Sequence, residues 1–156
     1  MKLLVLGIGQ SLRGDDAAGL EAVRFWQEFY PQTAQTVQVE LLEIPGLTLL
    51  DRLEGFEAVI LVDALHASTG PGRLYRLGRE DLAAFTPDSQ SAHGWGVAET
   101  LALGQSLHPS LAQCRITLIG LTGEAFGMGT GLSTSVRAAL PEAAAMIETE
   151  VQALLK

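Results

Sequence analysis

Short, unbroken apolar runs recur along the chain, each closed by glycine, proline or a charge. Residues 3–6, LLVL, run into Gly7-Ile8-Gly9, and a continuous apolar run is what a parallel strand covered on both faces requires. Apolar spacing at Leu20, Val23 and Phe25 then predicts a helix that opens near Asp15 and runs to about Tyr30-Pro31. Residues 37–44 set Val, Leu and Ile around Glu40 and Glu43, a second strand nearer a sheet edge. Pro45-Gly46 turns the chain into a short helix over 47–53, with Leu47, Leu50 and Leu53 on one face and Gly55 as its stop. Residues 58–62, AVILV, form the most apolar strand and end on Asp63, where an α/β sheet usually exposes a functional group.

Further on, the turn cluster 68–72 leads to RLYRL at 73–77, whose alternation fits a half-exposed strand. No helix intervenes to supply a crossover, so an antiparallel placement is open to it. Residues 78–92 read as a long polar connection that delivers His93, and Val97, Leu101 and Leu103 place a helix over 94–107. A last strand over 116–121, a glycine-rich loop over 123–131 and a final helix over 133–155, with Leu132, Val136, Leu140 and Met146 on its apolar face, complete the chain. The order β-α-β-α-β-β-α-β-α predicts a three-layer α/β sandwich: a twisted five-stranded sheet, mostly parallel or mixed, with helices on both faces. With the first and third strands adjacent, the switch point lies between their carboxyl ends, and Asp16 and Asp63 converge there.

Composition narrows the function. The 156 residues, 47% hydrophobic, fit one domain over 1–156. A net charge of -8 and a pI near 4.7 disfavour nucleic acid and anionic membranes, and leave room for a basic or apolar-rich protein partner. The single cysteine, Cys114, cannot form an internal disulfide, so a reducing cytoplasm is the expected compartment. At the start of an apolar strand it reads as a small hydrophobe rather than a nucleophile. There is no signal-peptide cleavage pattern after Lys2, and no apolar run is long enough to cross a bilayer.

The turn after the first strand resembles a phosphate loop, but its charges argue otherwise. After Gly7 and Gly9 the dinucleotide fingerprint needs a third glycine where Leu12 stands. Gly9 and Gly14 have P-loop separation, yet Asp15-Asp16 stand where Lys and Ser or Thr belong, and two carboxylates repel a phosphate. Such carboxylates are suited to hold a metal or to act as acid or base. The competing structural role is capping of the following helix by both aspartates. Asp16, Asp63 and His93 all fall at or near element boundaries and together could bind a divalent transition metal, with positions left for other ligands. His66 lies close enough in sequence to Asp63 to join them, whereas His108 precedes a proline and is expected to face solvent. G-x-S-x-G is absent, which disfavours a serine hydrolase.

The segments LVLGIGQSLRGDDAAG, VILVDALHASTGPG, SAHGWGVAETLAL, and TLIG followed by GLSTSVRAALPEA, in this order and spacing, resemble the endopeptidases that mature NiFe hydrogenases. The resemblance spans nearly the whole chain. It implies a small cytoplasmic protein that removes a C-terminal extension from the hydrogenase large-subunit precursor, with Asp16, Asp63 and His93 as catalytic and metal-ligating residues. The metal is then nickel already inserted in the precursor, and no organic cofactor is implied. Departures are Gln10 where the family usually has Asn, Asp16 where it often has Glu, and a 43–48 loop that lacks the Asp-Gly-Gly-Thr pattern of relatives. Gln keeps an amide, and Asp keeps the carboxylate with a shorter reach. The chemistry favoured is attack of water on the scissile carbonyl, with activation by a carboxylate or the metal. The alternatives are a non-cleaving assembly chaperone and a nucleotide-binding or peptidyl-tRNA hydrolase-like domain.

Overall fold

Five strands form one sheet in the order β2-β1-β3-β5-β4. The structure is a computed structural model that describes residues 1–43, 48–66, 70–83, 101, 104 and 108–156. Strand β1 (Leu3–Ile8) is buried along its whole length between parallel neighbours β2 (Gln38–Leu42) and β3 (Ala58–Leu65), as its unbroken apolar run requires. Strand β5 (Arg115–Thr122) continues the parallel sheet on the far side of β3, and β4 (Leu74–Gly78) closes that edge antiparallel to β5. The sheet is therefore mixed, and β2 is the other edge, which accounts for its two exposed or half-exposed faces.

Alternate side chains of the central strands feed two cores. Val5, Ile60, Val62 and Ile119 pack under α1 (Ala18–Phe29) and the long final helix α5 (Thr134–Leu155), where Trp26, Val136 and Ile147 are fully buried. Leu4, Leu6, Leu61 and Leu118 face the opposite core with α3 (Thr48–Leu53), Leu101, and Leu111 of the 3-10 turn Pro109–Ala112. The period-2 alternation of strand side chains is what supplies both layers from one run of sequence.

Four boundaries differ from the sequence expectation. Strand β3 continues beyond Asp63 to Leu65, because β5 is equally long and pairs with it as far as Leu65 opposite Thr122. The first helix opens as a 3-10 turn, Gly14–Ala17, before α1 begins. A short helix α2 (Pro31–Ala34) follows α1, with proline at its first turn. Where a connection was expected after β4, residues Arg79–Ala83 form helix α4. Asp81 Oδ2 accepts from Gly78 N at 2.9 Å at its start, and Arg79 donates to the carbonyls of Leu111 and Cys114, both at 2.6 Å. Of the expected helix over 94–107, Leu101 and Gly104 are described and helical; the remainder lies outside the described residues. No helix among the described residues is long and apolar enough to cross a membrane.

Candidate functional site

Gly19 sets the position of the site. A Cβ on this residue would collide with the carbonyl oxygens of Ile8 and Val62, so glycine lets the start of α1 lie directly on the backbone of β1 and β3. The 3-10 turn that carries Asp15 and Asp16 is thereby drawn to the carboxyl ends of those strands. Gly9 makes the second close approach: its missing Cβ leaves room for Asp16 O, which also accepts from Gln10 N at 3.3 Å. Asp63 stands on β3 one residue beyond Val62, the partner of Gly7, and opposite Gly120 of β5. Asp16 and Asp63 thus occupy the same end of the sheet, at the crevice where β2 and β3 depart to either side of β1.

Both carboxylates are removed from bulk water, Asp63 at 0% and Asp16 at 3% exposure. Asp63 Oδ1 accepts from Ala64 N at 2.8 Å, which fixes its rotamer against the strand. Buried acids at this end of the sheet are hard oxygen donors suited to a divalent cation, and equally suited to orient or deprotonate a water. His93 lies outside the described residues. Among the described residues no three His, Cys, Asp or Glu side chains are grouped to hold a metal, so His66 does not complete a trio with the two aspartates. It is exposed at the end of β3 and stacks on Phe126, with ring centroids 3.9 Å apart and planes inclined by 16°. His108 is half-buried rather than fully solvated.

Asp15 has a role that its neighbours in sequence do not signal. Neither the 3-10 turn nor α1 has a side-chain cap, so paired capping by the two aspartates does not occur. Instead the fully buried Asp15 carboxylate accepts from the amides of Glu124 (2.9 Å), Ala125 (3.1 Å) and Ser133 (2.7 Å), while its own amide donates to Ala125 O at 2.7 Å. It clamps the glycine-rich loop 123–133 to the turn beside Asp16. Burial alone would raise its pKa, but the three amides outweigh burial and hold the carboxyl below its ordinary range. The sequence signal for this clamp is weak, since its partners are backbone groups more than a hundred residues away. Cys114 is buried and its thiol is pushed up chiefly by burial, as a packed rather than reactive cysteine should be.

A family model described as hydrogenase maturation protease, HycI, matches residues 24–150. The chain is 34% identical over 122 residues to the hydrogenase expression/formation protein HupD of Rhodobacter capsulatus, covering 76% of this chain and 56% of that protein. It is 28% identical over 162 residues to the hydrogenase 2 maturation protease of Escherichia coli strain K12, covering 99% and 96%. The chain thus spans little more than half the length of the HupD relative but nearly all of the E. coli one. Among solved structures, the NiFe hydrogenase maturation protease HybD from Thermococcus kodakarensis superposes with a TM-score of 0.79 at 26% identity, over 97% of this chain and 99% of that one. The hydrogenase maturating endopeptidase HybD from E. coli gives 0.74 at 25%, over 97% and 93%.

Proposed function

Because the chain belongs to the hydrogenase maturation protease family, we propose that it acts, as one domain over 1–156, as an endopeptidase that removes the C-terminal extension of a NiFe hydrogenase large-subunit precursor. The observation that carries this reading is the pair of buried carboxylates, Asp16 and Asp63, at the carboxyl ends of β1 and β3 in a chain of that family. Nickel is here part of the substrate, and it supplies Lewis-acid polarisation when the precursor binds. The donor set fits: two carboxylates, with the imidazole of His93 as the third group, suit a divalent first-row ion. The metal trio Asp16, Asp63 and His93 is accordingly part of the proposal, as is a cytoplasmic site of action alongside precursor assembly.

In the reaction, water oxygen adds to the scissile carbonyl carbon, the C–N bond breaks, and the proton lost by water passes to the leaving amine. A carboxylate at the crevice accepts that proton and returns it. Burial of Asp63 and Asp16 excludes bulk water, so the positioned water is the one that reacts. The nickel serves as a completeness signal, because the trio gains its partner only in a loaded precursor and the scissile bond is oriented only then.

The test is the mass of the large subunit's C-terminus after incubation with nickel-loaded and nickel-free precursor. Wild type should shorten only the loaded form, and Asp63→Asn or His93→Ala should slow cleavage by about a hundredfold or more. Equal cleavage of both forms would remove nickel as the signal. Binding without cleavage of either would leave a chaperone.

A further inference from the structure

The two loops beside Asp16 are joined into one body. Gly129 N donates to Leu12 O at 2.9 Å, and the Asp15 carboxylate holds the same loop at Glu124, Ala125 and Ser133. Gly14, at φ +57°, sits so close to Ala125 O and Thr130 Oγ1 that any side chain would push the loops apart. On this fixed platform stand the two most exposed large apolar side chains among the described residues, Leu12 at 68% and Met128 at 69%. They line one groove of about 260 Å³ with Gln10, Ser11, Arg13 and Glu43. Apolar side chains held in water by a built scaffold, beside a candidate catalytic carboxylate, are the mark of a seat for another chain.

The polar groups of the groove say what kind of chain. Glu43 Oε1 accepts from Ser11 N at 2.8 Å and Ser11 Oγ at 2.7 Å, and these bonds hold the carboxyl ionised below its ordinary range. Among the described residues its other oxygen has no partner, which leaves it for an incoming cation. Among the described residues the Arg13 side chain makes no hydrogen bond or ion pair, which leaves a donor for a peptide carbonyl. With a net charge of -8, the protein also favours a basic segment at long range.

We propose that this groove seats an extended segment of the precursor next to the scissile bond, with an apolar side chain lodged between Leu12 and Met128 and an adjacent Lys or Arg paired with Glu43. The proposal rests on the endopeptidase reading of the same site and names its substrate's chemistry. Leu12, Met128 and Glu43 then determine specificity without taking part in bond cleavage.

The experiment measures binding of nickel-loaded precursor by calorimetry and its cleavage by mass spectrometry, for wild type, Leu12→Ser/Met128→Ser, and Glu43→Gln. Gln keeps an acceptor for Ser11 and removes the charge. The double variant should raise both Kd and KM by about tenfold or more while kcat stays within about twofold, the signature of lost uniform binding. Glu43→Gln should weaken binding by a few-fold and flatten its dependence on salt. Should the serine pair fail to fold by thermal unfolding, Leu12→Gln/Met128→Gln repeats the test with bulk retained. If wild type cleaves and the double variant cleaves with unchanged KM, the groove is not the seat and the endopeptidase reading stands. Groove-dependent binding without cleavage by wild type would keep the seat and remove the protease. Wild type that neither binds nor cleaves would overturn both.

Discussion

Asp15 and Asp16 are adjacent in sequence and separate in role, and the difference comes from what surrounds each carboxylate. Asp16 lies at the crevice with Asp63, while Asp15 is spent on three backbone amides of the 123–133 loop. An acid at the end of an apolar run marks itself in a sequence, as Asp63 does after residues 58–62, whereas Asp15 and Asp16 stand there as an undivided pair. Asp15 was not distinguishable from its neighbour, because backbone amides carry no residue signature. Replacing it by Ala would orphan buried donors at about 1–3 kcal/mol each, so Asp15→Ala should lower the denaturant midpoint severely. The pH dependence follows from the sign of its shift. A folded pKa held below the ordinary 3.8 contributes stability that is present above that value and lost as the pH falls through the depressed one. Urea titrations from neutral to acid pH should therefore show a stability loss in wild type that begins below about pH 4 and is reduced in Asp15→Asn.

Continuous apolar runs made β1, β3 and β5 legible to within a few residues, and the absence of a crossover helix left β4 free to run antiparallel, as it does. The limits of β3 were misread for a physical reason. Asp63 looks like a terminator in sequence, but opposite it in β5 stands Gly120, which leaves the pairing undisturbed and lets the strand continue. Helix α4 carries too little apolar periodicity to announce itself and is held instead by Arg79 on two distant carbonyls. The element whose position matters most to the site is α1, and its contact with the sheet depends on the absence of one methyl group. Gly19→Ala would raise helix propensity slightly, yet it would force α1 off the carbonyls of Ile8 and Val62. A net destabilisation of about 1–3 kcal/mol is expected from such overpacking, read as a lower urea midpoint, with cleavage impaired as the Asp16 turn shifts away from Asp63.

At the scale of the whole molecule, the α1 and α5 layer is fastened by a polar network at the margin of its apolar core, reached from inside by the buried Trp26. Glu148 of α5 accepts from Trp26 Nε1 at 2.9 Å and Thr33 Oγ1 at 2.8 Å, and Gln152 Nε2 donates to it at 3.0 Å. Trp26 is fully buried, so its indole N–H has no water to turn to. Glu148→Leu should cost about 1–3 kcal/mol in thermal or urea unfolding, and Glu148→Gln less, because an amide oxygen still accepts from the indole. The general architecture could be read from the sequence because it follows from hydrophobic pattern; this network could not, because it joins residues far apart through geometry alone. The sheet order also governs how the protein can be made. Among the described residues, strand β4 pairs with β5 alone in the sheet, yet it is synthesised first. As the chain emerges from the ribosome, β1, β2 and β3 can associate at once, while β4 must wait as an unsatisfied ribbon until β5 arrives to fill the place between it and β3. The last of these five strands to be delivered is thus an interior one, and the sheet cannot close until it has emerged.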